Sequence, residues 1–406
     1  MKILFITDNF PPEVNAPATR TFAHCKEWVK DDVEVTVITC APNFPHGKVY
    51  NGYKNKFYQT EMIEGIKVIR VWSYIAENKG FLRRTLDYMS FAFSSFIAGL
   101  FVKTDVIIAT SPQFFTTWSA SMLSTLKRRP WIFELRDIWP ASIRTVGALK
   151  KESILDFFEK IEIFLYHNAD GIVAVTKSFK TELVSRGIDP NKIDVITNGA
   201  DLSLYNIENK DQSLLSELGL NDKFIIGYVG THGMAHSLDF VVNSIAEIED
   251  EEIHFLFIGN GAEKKNIMEI ADKLGLKNIT FLDSVPKQET VKYLSIIDVS
   301  LSPLKKSEVF KGVIPSKIFE AAAMKKPILL GVEGEAAGII KRYNSGLCYE
   351  PENKKDFLEK IDLLKKDKEL YTELQKGCEV MSKDFDRKAL ADSMLEIVRS
   401  KKLLNQ

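Results

Sequence analysis

Three polar residues late in the chain are spaced for chemistry: Ser316, Lys317 and Glu320, within Phe310 to Gly331. The segment reads as a loop, a short helix and a buried strand. Pro315 and Ser316 are start signals, and Ile318, Phe319, Ala322 and Ala323 share one face. Lys326-Pro327 stops the helix, and Ile328-Leu329-Leu330 continues as strand. A lysine in a first turn opposes the helix dipole by ~0.3–1 kcal/mol, so it is either well solvated or balanced by an anion. Glu320 lies one turn on, on the same side. It is not the acid of a capping box, whose position is held by Phe319. Free N–H groups, a hydroxyl and an ammonium at a helix start suit a diphosphate, and a carboxylate one turn deeper suits two ribose hydroxyls. An ordinary amphipathic helix with solvated Lys and Glu fits the same residues, and the segment alone does not choose.

Two Gly-rich turns could add phosphate contacts. Phe224–Val229 runs into Gly230-Thr231-His232-Gly233, and Phe255–Ile258 into Gly259-Asn260-Gly261. Glycines after a strand let backbone N–H groups approach an anion. Neither turn is a full G-x-G-x-x-G, and each by itself reads more simply as a tight turn. His232 is either a phosphate or sugar ligand or a surface histidine.

These residues need elements to hold them. With 406 residues the chain exceeds one core, so two domains are expected. Strand and helix patterns alternate throughout, and the strands are continuous apolar runs such as Val-Ile-Ile-Ala and Ile-Val-Ala-Val, as in parallel sheets covered on both faces. The fold class is α/β: two doubly wound domains, with ligands expected at strand C-termini across a cleft. The first is expected over residues 1–197, with Cys40 leading into a long loop to Phe57. Asn198-Gly199-Ala200-Asp201 is a turn into the second, 198–386.

Composition bounds the function. Net charge is −1, with 54 Lys+Arg against 55 Asp+Glu. Residues 1–200 carry 25 basic against 21 acidic side chains and the remainder 29 against 34, too even to predict nucleic-acid binding. The four cysteines are scattered without metal spacing, and the chain opens on a strand, so a cytoplasmic protein without zinc or disulfides is expected. The run Leu86–Val102 is too short to span a bilayer, which takes ~20 residues. Arg83-Arg84 before it and Lys127-Arg128-Arg129 after the next helix make it either a plain core helix or one with a lipid-facing edge at the membrane surface. The acidic run Glu249–Glu252 reads as a solvated turn, and the one Asp-x-Asp, Asp384-Phe385-Asp386, lies between helices, so no metal site is expected.

The order of Asn198–Asp201, Gly230–Gly233, Gly259–Gly261, Pro286, Asp298–Pro303 and Pro315–Pro327 resembles the C-terminal half of retaining GT-B glycosyltransferases of family 4. Asp8-Asn9-Phe10-Pro11-Pro12-Glu13 is similar to that family's opening loop. Glu134-Leu135-Arg136-Asp137-Ile138-Trp139-Pro140 resembles the R-D-x-W-P block of its O-antigen and capsule branch, which includes L-fucosamine transferases. The resemblance covers essentially the whole chain. It implies a metal-independent glycosyltransferase in surface polysaccharide (O-antigen, lipopolysaccharide or capsule) synthesis, taking a nucleotide diphosphate sugar, UDP-linked, as co-substrate, with no other cofactor. The implied acceptor is a lipid-linked (undecaprenyl-diphosphate) saccharide, reached from the cytoplasmic face with peripheral membrane contact. It also implies that a last helix, about 387–406, returns to the first domain.

In that family the second Glu of an E-x7-E motif holds the ribose, which Glu320 matches. The first falls on Gly312, so Glu308 or Glu335 is the candidate substitute. The basic pair usual after the Gly loop is absent from Met234–Asp239, leaving Lys317 as the nearest cation. The implied assignment puts Lys317, Ser316 and the Gly230–Gly233 and Gly261 turns on the diphosphate. Asp137 orients the acceptor hydroxyl or accepts its proton, with a structural cap as the competing account. Arg20 and Arg136 are candidates for phosphate or acceptor, against a plain surface arginine. A nucleotide-sugar 2-epimerase or a non-catalytic GT-B partner subunit shares the two-domain plan. An NAD dehydrogenase fits poorly, because neither half has a dinucleotide fingerprint.

Overall fold

The computed structural model describes residues 1–44, 47–75, 81–111, 114–138, 152–205 and 209–403. Trp139 and Pro140 of the R-D-x-W-P block lie outside them. The chain divides into two compact units, Met1–Thr197 with Lys388–Gln406, and Asn198–Arg387.

The first unit is built on β1 (Lys2–Ile6), β2 (Glu34–Cys40), β3 (Tyr58–Ile63), β4 (Ile66–Val71), β5 (Val106–Thr110), β6 (Trp131–Leu135), β7 (Gly171–Ala174) and β8 (Ile193–Val195), in the order β3-β4-β2-β1-β5-β6-β7-β8. All neighbours are parallel except β3 and β4. The expected long loop to Phe57 therefore gives way at Tyr58 to an edge strand. Its alternating exposed and half-buried residues carry no continuous apolar run, which is why the pattern hid it. In β1, Ile3 and Phe5 face α1 (Ala16–Lys30), while Leu4 and Ile6 face α2 (Phe81–Leu100) and α3 (Phe114–Lys127). Helices α4 (Glu152–Asn168) and α5 (Lys177–Ser185) cover the latter face further along.

Asn15 caps α1, its side chain accepting from the Ala18 N–H, so the helix begins three residues before Thr19. The last helix of the chain, Arg387–Leu403, buries Ala391, Met394, Leu395 and Val398 in the core shared with Phe5, Trp28 and Val37. Trp28 Nε1 donates to the Ala391 carbonyl at 2.8 Å.

The second unit is an all-parallel sheet of β9 (Phe224–Val229), β10 (Ile253–Ile258), β11 (Ile279–Leu282), β12 (Val299–Pro303), β13 (Ile328–Gly331) and β14 (Gly346–Cys348), ordered β11-β10-β9-β12-β13-β14. Two short elements escape the sequence reading: α6 (Gln212–Leu218) and β14. Around the sheet lie α7 (Leu238–Ile245), α8 (Lys264–Lys273), α9 (Lys287–Ile296), α10 (Lys317–Ala323), α11 (Glu335–Tyr343), α12 (Lys354–Lys366) and α13 (Lys368–Asp384), with Arg387–Leu403 as α14. Ile225 and Leu256 face α9, α10 and α13; Ile226 and Phe255 face α7, α8 and α12. Strand order reverses between β9 and β12, the place where doubly wound sheets open a crevice at their carboxyl ends.

Candidate functional site

The residues after β9 and β10 form one interlocked pair of loops. The Gly230 N–H donates to the Ile258 carbonyl at 2.9 Å, the His232 N–H to Asn260 at 3.0 Å, and the Glu263 N–H back to His232 at 2.9 Å. A Cβ on Gly259, whose φ is +147°, would lie 1.9 Å from the Gly230 oxygen, and one on Gly261 2.3 Å from the His232 oxygen. These glycines serve close packing of loop on loop. Two of the loop N–H groups, those of Gly230 and His232, are thus spent inside the fold, as the tight-turn reading requires. Gly230 itself keeps space clear: a Cβ there would meet Lys317 Nζ at 3.2 Å.

Among the described residues the Lys317 ammonium has no ion-pair partner, and its Nζ is shut off from solvent. Its Nζ is buried without a hydrogen-bond partner among the described residues and stands 3.7 Å from the centre of the Tyr228 ring. Burial pushes its pKa down to about 7, with Glu320 opposing the shift. The first-turn anomaly is thus resolved by a cation–π contact. Ser316 is exposed and gives its hydroxyl to no cap, and α10 has only seven residues, so its dipole adds little.

His232 is fully buried, which overturns the surface reading. Both ring nitrogens lack partners among the described residues, and its ring lies 5.6 Å from Tyr228 and 6.2 Å from Phe257. Burial, then Lys264 and Lys317, lowers its pKa to about 4. His236 stands 6.0 Å from Tyr228, its Nδ1 buried and unpartnered among the described residues. Its pKa also falls to about 4, through burial and Lys317, against the pull of the Pro303 carbonyl. The Tyr228 hydroxyl donates to the Thr231 carbonyl at 2.6 Å, pinning the aromatic centre of this group to the loop.

Glu320 is half-buried one turn beyond Lys317 and faces the buried hydroxyl of Tyr205, which burial and Glu320 both hold protonated. Of the substitutes for the acid missing at Gly312, Glu308 is exposed and pairs with Lys311 at 2.6 Å. Glu335 opens α11 just after Gly334, where a Cβ would lie 2.2 Å from the Lys311 oxygen.

In the first unit the Ser111 Oγ after β5 accepts from the Arg136 and Asp137 N–H groups, at 2.8 and 3.2 Å, fixing both residues at the end of β6. Asp8, after β1, has its pKa raised to about 7, mainly by burial, with Glu13 and Asp87 adding to the rise. Arg20 departs from expectation. It is 5% exposed, its Nε bonds Glu134 at 2.8 Å, and its other nitrogens reach the Ile196 and Thr197 carbonyls. It ties α1 to β6 and to the end of the unit, not to a surface phosphate.

Tyr228, His236, Tyr205 and Asp8 were not singled out for chemistry in the sequence. The spacing of His232 and His236, four apart in a loop without Arg or Lys, was the available signal. The tyrosines are indistinguishable from core residues until the loops are folded.

Two α/β units of this kind are the architecture of the GT-B fold, and solved glycosyltransferases share it. HepE of Anabaena, in complex with UDP and glucose, matches at TM-score 0.70 with 16% identity over 98% of this chain and 100% of that one. WaaG, a glycosyltransferase involved in lipopolysaccharide biosynthesis, matches at TM-score 0.70 with 13% identity over 98% and 99%. Residues 18–204 match the family model Glycosyltransferase Family 4 and residues 211–379 the model Glycosyl transferases group 1, so the chain belongs to the glycosyltransferases that carry these two domains. WcaI of Escherichia coli K12, provisionally named a colanic acid biosynthesis glycosyl transferase, is 25% identical over 87% of this chain and 89% of that protein. CapM of Staphylococcus aureus, a capsular polysaccharide biosynthesis glycosyltransferase, is 25% identical over 57% and 62%.

Proposed function

We propose that the protein transfers a sugar, with retention, from a UDP-linked donor to a growing bacterial surface polysaccharide. The observation that carries the reading is the group at the switch point of the second unit: Lys317 on Tyr228, the buried imidazole of His232, the half-buried one of His236, and Glu320 one turn away. Buried nitrogen groups that gain charge when an anion enters suit a diphosphate, and a half-exposed carboxylate suits a ribose. HepE, of like fold, is known in complex with UDP, and the names of WcaI and CapM point to surface polysaccharides.

In this reading Lys317 neutralises the diphosphate, assisted by the Ser316 hydroxyl and the Thr231 and Gly233 N–H groups, and Glu320 accepts from both ribose hydroxyls. The acceptor oxygen bonds the anomeric carbon as the bond from that carbon to the β-phosphate oxygen breaks. The nucleoside diphosphate leaves and its β-phosphate takes the acceptor's proton, with Asp137 orienting the hydroxyl. Charge is balanced by side chains, with no metal and no further cofactor. A thermal-shift screen of nucleotide diphosphate sugars, followed by transfer to an undecaprenyl-diphosphate sugar, tests this; a donor that stabilises the protein but yields no product with any saccharide acceptor would defeat the transferase assignment.

A lipid-linked acceptor at the inner face of the cytoplasmic membrane fits the outer side of α2. Leu86, Met89, Phe93, Ile97 and Phe101 are exposed along one stripe, Phe93 by 68%, beside a small apolar pocket of about 160 Å³ bordered by Phe96 and Trp118. Arg83, Arg84, Arg128 and Arg129 are exposed around it, whereas Lys127 is turned inward, its Nζ donating to the Leu100 and Val102 carbonyls at 2.9 and 3.0 Å. Among the described residues no helix is long and apolar enough to cross a membrane, so the contact would be peripheral.

A further inference from the structure

The loop from β9 to α7 has no arginine or lysine, yet it places two histidines against Lys317. Three imidazole nitrogens, Nδ1 and Nε2 of His232 and Nδ1 of His236, are buried and unpartnered among the described residues beside an ammonium in the same condition. The groups that face them are mostly cations. Lys264 and Lys317 face His232; Lys317, His232 and the Pro303 carbonyl face His236; Glu320 is the acid facing Lys317, on its own helix. The neighbouring acid, Glu352, accepts from the Ser237 hydroxyl at 3.0 Å and so holds the loop. Lys305 N–H to the Ala235 carbonyl, at 2.9 Å, anchors the turn that carries His236. Held by these ties, the two rings lie 5.6 and 6.0 Å from the ring of Tyr228, over which Lys317 stands at 3.7 Å.

An amine and two imidazoles, each gaining one N–H donor and a positive charge on protonation and gathered with little counter-charge, are costly in that form unless an anion enters among them. We propose that His232 and His236 are ligands of the donor's diphosphate, acting in place of fixed cations, so that the nucleotide binds together with protons. The inference rests on the nucleotide diphosphate reading above. It makes donor affinity pH-dependent. The unliganded group is held proton-poor, with Lys317 at about 7 and both imidazoles at about 4, and an anion raises all three. Binding therefore consumes protons, and affinity falls as pH rises.

The experiment is titration calorimetry of the full chain with UDP, and in parallel GDP and ADP, in buffers of different ionisation enthalpy. At about pH 8, where the nucleotide is fully ionised, uptake of about one proton per nucleotide is expected, with affinity falling about tenfold per pH unit. Near pH 6.5, protein labelled with ¹⁵N-histidine reports the rings directly. Two of the six imidazoles are expected to turn from neutral to imidazolium on nucleotide addition. His236→Gln removes one of those signals and weakens binding about ten- to a hundredfold, while Lys317→Met removes the uptake at about pH 8. Nucleotide binding with a buffer-independent heat and unchanged imidazoles would overturn the inference and leave the nucleotide site standing. Failure of every nucleotide to bind would instead overturn the underlying reading, and the inference with it.

Discussion

Lys317 Nζ stands 3.7 Å above the centre of the Tyr228 ring, and the hydroxyl of that ring is bonded to the Thr231 carbonyl at 2.6 Å. The Gly loop thereby positions the aromatic surface on which the ammonium is held, and both are set by residues of one unit.

This arrangement trades stability for binding. Because the Lys317 pKa falls from 10.5 to about 7 on folding, the unfolded chain binds the extra proton between those values, so stability rises with pH across that window and the full cost is present below about 7. Lys317→Met keeps the contact with the ring and removes the buried amine. Its thermal midpoint at neutral pH should rise, by about 2–4 °C for each kcal/mol regained, while nucleotide affinity falls. Scanning calorimetry showing a lower midpoint would contradict the buried, unpartnered amine.

The Gly259 turn should resist any side chain. With φ at +147° and the Gly230 oxygen 1.9 Å from the Cβ position, Gly259→Ala forces the two loops apart. The backbone strain alone costs ~1–3 kcal/mol, so urea unfolding should show at least that loss, together with weakened nucleotide binding. Unchanged stability would mean the loops do not interlock.

Arg20 and Glu134 form a buried pair with 5% and 0% side-chain exposure. Arg20→Met removes the ion-pair partner of a buried carboxylate, leaving it Arg136 and the Thr110 hydroxyl, and should cost ~3–5 kcal/mol in urea unfolding, whereas Arg20→Met combined with Glu134→Leu should recover much of that. A single variant of wild-type stability with impaired catalysis would restore Arg20 to the substrate site.

The membrane reading rests on Arg83, Arg84, Arg128 and Arg129 around the exposed stripe of α2. Each contributes ~1 kcal/mol toward anionic lipid, and salt screens it. Sedimentation with anionic liposomes should lose the protein when all four are changed to Glu, and should weaken when Phe93 and Phe101 become Ser. Equal partitioning of wild type and variants would leave the acceptor soluble.

Much of this fold was legible because parallel strands buried on both faces read as unbroken apolar runs, and β6, β9, β10, α3, α12 and α13 follow the sequence pattern closely. Tyr58–Ile63 was not, since an edge strand with one face in solvent needs no such run, and α6 and β14 are too short to show a period. At the site, helix spacing was enough to pair Lys317 with Glu320. The burial of Lys317 and His232 was not readable, because it arises from two loops meeting across β9 and β10. The role of Arg20 is hidden for the same reason: its partner lies 114 residues away.

The central claim is that α10 holds a nucleoside diphosphate, with Glu320 on the ribose. Titration calorimetry of UDP against wild type and Glu320→Ala is the direct test. Loss of acceptors for two hydroxyls by a charged group should weaken binding by ~1.5–3 kcal/mol, about ten- to a hundredfold. UDP binding with equal affinity to both proteins would contradict the assignment.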